Sequence, residues 1–158
     1  MTLPNLMPFN DYGGDWGAYE LALYQVFERD IIHHDLQFQG LRVNARRLPE
    51  HARKWACFWH LISEGRLEDE RTPDLRRCER LPLVRWIVEN AASHTDIDMW
   101  EQVRGHQRNW LLWHEEYQLV VLEQRNDYYL LKTAFCTEQN HRVRKFRRER
   151  DAYLRAAP

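Results

Sequence analysis

The 158-residue chain has little cysteine, glycine or proline: three, six and six residues respectively. Cys57, Cys78 and Cys136 are odd in number, far apart and form no C-x-x-C pair. That spacing argues against a disulfide framework or a zinc site and leaves reduced thiols as the expected state. So few glycines and prolines exclude a fibrous or low-complexity chain. No run of about 18 apolar residues is present, and no basic leader precedes an apolar stretch, so neither a membrane span nor a signal peptide is expected. A soluble, cytoplasmic protein with no membrane association is the expectation. The sequence also lacks a Gly-rich phosphate loop, a G-x-S-x-G turn and a dinucleotide fingerprint. His33, His34 and Asp35 are adjacent and therefore diverge on a regular element, while His94, His106, His114 and His141 have no H-x-x-x-H spacing. No metal and no cofactor are expected.

What is present is a packed composition, 44% hydrophobic and 13% aromatic with seven Trp. That suits one domain spanning residues 1–158, with 1–14 irregular. Some of the indoles fill a core and others are candidates to stack on a ligand. The net charge of −1 hides an asymmetry. Residues 141–155 hold seven Arg or Lys against two acids, which fits either a polyanion-binding surface or a solvated helix face.

Periodicity gives an α+β order: early helices packed on a late antiparallel meander, then a basic C-terminal helix. Asp15 reads as the N-cap of a helix to residue 33, with Trp16, Tyr19, Leu23, Phe27 and Ile31 on one face. LQFQGLRV, 36–43, alternates like a strand, and the short apolar run WACFWHLI, 55–62, reads as a second strand or strand end beside it. A charged loop from Glu64 leads to a helix that starts near Thr72 or Asp74, and Pro82 restarts or kinks it. Residues 95–107 give no clear signal. Strands follow at 109–114, 117–124 and 127–135, then a helix at 139–155 with Val143, Phe146, Arg150, Tyr153 and Leu154 on one side.

Among residues able to carry chemistry, His60, a lone imidazole in the run FWHLI, suits a general base or acid; the alternative is a core histidine bonded to backbone. Arg77 and Arg80 lie three apart on one helical face and match phosphate oxygens, or else pair with Glu79 and Asp74. Lys132 and Thr133 each offer stabilisation of a phosphorane, yet strict alternation sends them to opposite faces of the strand. Arg142, Arg144, Lys145, Arg147 and Arg148 form a candidate RNA-binding set on the terminal helix.

FWHLIS (58–63), RCER (77–80) and YYLLKTAFCTE (128–138) with the basic helix after it together resemble the barnase/EndoU/colicin/RelE-like ribonuclease superfamily, in particular its phage and toxin-associated branches. The resemblance spans roughly residues 36–150. It implies a metal-independent endoribonuclease toxin with His60 as acid or base, Arg77 and Arg80 on the phosphate and Thr133 as a transition-state donor. It also implies RNA as substrate and an antitoxin or immunity protein as partner. Phe135 stands where the family often has Tyr, which removes a hydroxyl. The alternative reading is a non-catalytic RNA-binding or protein-interaction module.

Overall fold

The computed structural model describes residues 2–65, 70–137 and 140–156; the middle of the charged 64–74 stretch, residues 66–69, and the expected first residue of the last helix lie outside them. Asp15 accepts a hydrogen bond from the Ala18 amide and starts α1 (Trp16–Phe27), which runs on into a π-turn over Glu28–Ile32. The irregular segment before it is tied to the core, since the Tyr19 hydroxyl donates to the Met7 carbonyl at 2.7 Å.

Residues 36–43 form a hairpin, β1 (Gln37–Phe38) and β2 (Leu41–Ala45), in place of the single strand that their alternation suggests. Gln39 and Gly40 both take positive φ, 51° and 80°, as a two-residue turn with the twist of its flanking strands requires. The WACFWHLI run is also corrected: it forms a helix, α2 (Ala56–Ile62). Its continuous apolarity reflects burial of Ala56, Cys57, Phe58, Leu61 and Ile62 on several sides of one short helix, a pattern that mimics a fully buried strand. The first-turn amides of Ala56 and Cys57 donate to the carbonyls of Arg47 and Arg46, which seats α2 on the end of β2.

A two-stranded ladder, β3 (Ser63–Glu64) with β4 (Thr72–Pro73), leads to α3 (Leu75–Glu79), capped by Asp74 through the amides of Arg76 and Arg77. Pro82 starts α4 (Leu83–Asn90). The stretch without a clear signal forms an eight-residue strand, β5 (Ile97–Arg104), and the meander continues through β6 (Gln107–His114), β7 (Gln118–Gln124) and β8 (Tyr129–Phe135) to α5 (Asn140–Ala156). The six-stranded sheet has the order β1-β2-β8-β7-β6-β5, antiparallel except that β2 runs parallel to β8.

Alternation along the strands sends apolar side chains to both faces. Leu112, Val120, Leu122, Leu131 and Ala134 join α2, α4 and, beyond α2, α1 in one core. Trp100, Leu111, Trp113 and Leu119 meet Phe146 of α5 on the other face. Leu154, expected on the apolar side of α5, is 57% exposed. Phe58 joins α1 to α2: fully buried, its ring lies 4.9 Å from Tyr24 and 5.6 Å from Phe27. Phe58→Ala removes both contacts and leaves a cavity, so a loss of about 3–5 kcal/mol is expected. Urea unfolding checks it, with a lower midpoint and an unchanged slope.

Candidate functional site

α2 ends inside the protein, and its last carbonyls need donors. Arg77 Nη1 donates to the His60 carbonyl at 3.2 Å and to the Ser63 carbonyl at 2.7 Å. The Thr133 hydroxyl donates to the same His60 carbonyl at 3.1 Å. The Asp74 amide reaches the Ile62 carbonyl at 2.8 Å. Arg77 and Thr133 thus meet at the backbone carbonyl of His60 and not at its imidazole, with Arg77 Nη1 and the Thr133 hydroxyl both given to backbone. Burial pushes the Arg77 guanidinium below its ordinary value, opposed by Asp74 beside it, and Phe135 lies under it at 5.8 Å. Arg80 likewise donates to the Arg76 carbonyl and Glu79, and its own carbonyl accepts from Gln118. These arginines shape the site more than they face it.

The expectation that Lys132 and Thr133 point to opposite faces is overturned by a bulge. In the β7–β8 register Leu131 pairs with Leu122 and Thr133 with Val121, leaving Lys132 as the extra residue. Lys132 bonds Glu123 at 3.2 Å while Thr133 lies opposite Val121. Val121 and Glu123 are alternate residues of β7, so Lys132 and Thr133 work on the same side of the sheet.

That side is divided. α5 covers the end carrying Trp100, Trp113 and Leu119. The other end is an open polar groove of about 630 Å³ lined by Arg46, Arg104, His106, Gln107, Glu123, Arg125 and Lys132. A smaller cavity that shares Arg46 and Lys132 is lined also by His60 and Cys57. Glu123 is the pivot: its side chain is 8% exposed and ion-paired to Arg125 and Lys132, and it accepts from Gln107 Nε2 at 3.0 Å. A buried carboxylate needs such partners, and here they leave cations at the rim of the groove. Beside it, Asn109 is buried with its Oδ1 lacking a partner among the described residues. Cys57 is no nucleophile there, because burial pushes its thiol up to about 12.

Glu123, Arg46, Arg104, Arg125 and His106 are absent from the set that the sequence singles out. Glu123 carried a usable signal, an acid among the apolar residues of LVVLEQ. The rest come from strand ends and turns, which hydrophobic periodicity does not mark. The five α5 residues expected to bind RNA, Arg142, Arg144, Lys145, Arg147 and Arg148, are all exposed. Arg147 is paired with Glu115, and Arg142 lies over the Phe135 ring at 5.1 Å.

Thr133→Val, which keeps the shape and removes the donor, is expected to cost about 1 kcal/mol. Arg77→Met, which strips a cation from the His60 and Ser63 carbonyls, should cost about 2–3 kcal/mol. Chemical denaturation of the two variants checks the order; an Arg77→Met protein as stable as wild type contradicts the capping role. Compared with family models, curated proteins and solved structures, the chain matches none.

Proposed function

We propose that the protein is an endoribonuclease that cuts by attack of the ribose 2′-hydroxyl on the adjacent phosphate, and that it acts as a toxin in a bacterial or phage-associated setting. The observation that carries this reading is the Glu123 carboxylate, buried at the floor of a groove whose rim supplies Lys132, Arg46, Arg125 and Arg104, with His60 in the adjoining cavity. A carboxylate and an imidazole in adjoining spaces, joined by the shared cations Arg46 and Lys132, supply the groups that proton transfer at a phosphodiester demands.

In this reading Glu123 takes the proton of the 2′-hydroxyl as that oxygen bonds to phosphorus. His60 gives a proton to the departing 5′-oxygen as its bond to phosphorus breaks. Lys132, Arg46 and Arg125 balance the charge that develops on the phosphorane. The products are a 2′,3′-cyclic phosphate and a 5′-hydroxyl end. Arg77, Arg80 and Thr133 act as positioning residues through the end of α2. The exposed cations of α5 extend the phosphate track beyond the site.

A second reading, an RNA-binding module without turnover, draws on the engagement of Arg77 Nη1 and the Thr133 hydroxyl by backbone carbonyls. Cleavage of a labelled RNA with mapping of the ends separates the two. The enzyme reading expects cyclic phosphate termini, and a loss of about a hundredfold or more in turnover for Glu123→Gln, with RNA binding retained. Lys132→Ala, at a one-third exposed surface position, should lose a similar factor without unfolding the sheet. Binding without any cleavage by the wild type supports the module instead. Induced expression in a bacterial host tests the toxin proposal: the wild type arrests growth and Glu123→Gln does not.

A further inference from the structure

Next to the cationic groove lies a second depression of about 350 Å³, lined by His106 and Gln107 from the β5–β6 turn and by Gln124, Arg125, Asn126, Asp127 and Tyr128 from the end of β7 and the β7–β8 turn. It shares His106, Gln107, Glu123 and Arg125 with the first. Both volumes fall within the roughly 300–1,000 Å³ of ordinary ligand sites. Their chemistry differs. The first is ringed by cations, whereas the second, besides the shared Arg125, offers planar amides, two carboxylates and two aromatic rings.

Tyr128 is half-buried; its carbonyl accepts from the Arg125 amide, but among the described residues neither a ring nor a hydrogen-bond partner meets its side chain. The adjacent tyrosine is engaged: Tyr129 donates to Gln39 and packs on Phe38 at 5.1 Å. The exposed side chains of Asn126 and Asp127 are likewise without a partner among the described residues. Gln124 accepts from the Trp110 indole and Gln107 donates to Glu123, which leaves the amide nitrogen of the first and the amide oxygen of the second to a ligand. A flat face with in-plane donors and acceptors around it, one step from a phosphate-sized cluster of cations, matches one nucleotide unit.

We propose that this depression is a nucleobase subsite, in which a base lies on the Tyr128 ring with His106 across the groove and its edge meets Asp127, Asn126 and Gln107. The proposal rests on the reading of the neighbouring groove as an RNA phosphate site and adds a substrate class to it. A base can reach Tyr128 only when it is unstacked and unpaired, so the protein selects single-stranded RNA over duplex RNA. Arg125, shared by the two depressions, ties the base to the phosphate beside it.

The test uses a fluorescently labelled 2′-O-methyl RNA oligonucleotide, which lacks the nucleophile and so reports binding alone. Anisotropy is followed for the single strand and for the same strand annealed to its complement. The expected result is tighter binding of the single strand, with a loss of about tenfold for Tyr128→Ala confined to the single strand, the salt slope unchanged and Tyr128→Phe close to wild type. Tyr128→Leu, which preserves apolar volume without a π face, should behave like the Ala variant. Equal binding of both forms, or a Tyr128→Ala protein that binds the single strand as wild type does, overturns the subsite. Cleavage of unmodified RNA is scored in parallel. A wild type that binds single strands through Tyr128 but does not cut contradicts the nuclease reading and leaves the subsite standing. Cutting with an unchanged KM in Tyr128→Ala does the reverse.

Discussion

A helix that stops inside a protein must find donors for its last carbonyls, and α2 finds them on side chains from elsewhere in the chain. Arg77 reaches from α3 and Thr133 from β8 to one carbonyl, that of His60, and Asp74 caps α3 while its amide closes on Ile62. Three segments that are remote in sequence are thereby pinned at one point. The position of His60 relative to Lys132 and Arg46 follows from that pin, because α2 can neither slide along β8 nor rotate without leaving buried carbonyls unpaired.

The second constraint is the extra residue in β8. In a regular strand Lys132 would follow Leu130, the residue opposite Glu123, but Thr133 would follow Leu131 into the core. The bulge lets the apolar residues on either side, Leu131 and Ala134, stay in the core while Lys132 and Thr133 both turn to the α5 side. Bulges commonly re-aim a side chain in this way beside functional sites. Because α5 covers only the end of that face with the tryptophans, the polar end carrying Glu123 stays open.

Much of the fold was legible: hydrophobic periodicity, a direct record of burial, marks the three late strands and the terminal helix, and residue chemistry marks the Asp15 cap and the restart at Pro82. The failures have physical causes. α2 is buried on several sides, so its period vanished, and β5 buries only Ile97 and Trp100 while its apolar Val103 is exposed, so its pattern does not record one covered face. The site was less legible than the fold. His60 and Lys132 were recognisable as polar residues inside apolar runs, but the loss of alternation at a bulge leaves no mark in one sequence. Arg46, Arg104, Arg125 and His106 became neighbours only once the hairpin ends were brought together.

The central claim is that RNA enters the open end of the sheet face, at Glu123 and Lys132, with the surface of α5 serving only as an extension. Amide shifts of the isotopically labelled protein, followed on titration with a 2′-O-methyl RNA oligonucleotide, test it most directly. The account predicts that the largest changes fall on Arg46, Arg104, His106, Glu123, Arg125 and Lys132, with smaller ones along the basic face of α5. Changes confined to α5, with the groove residues unmoved at saturation, would contradict it.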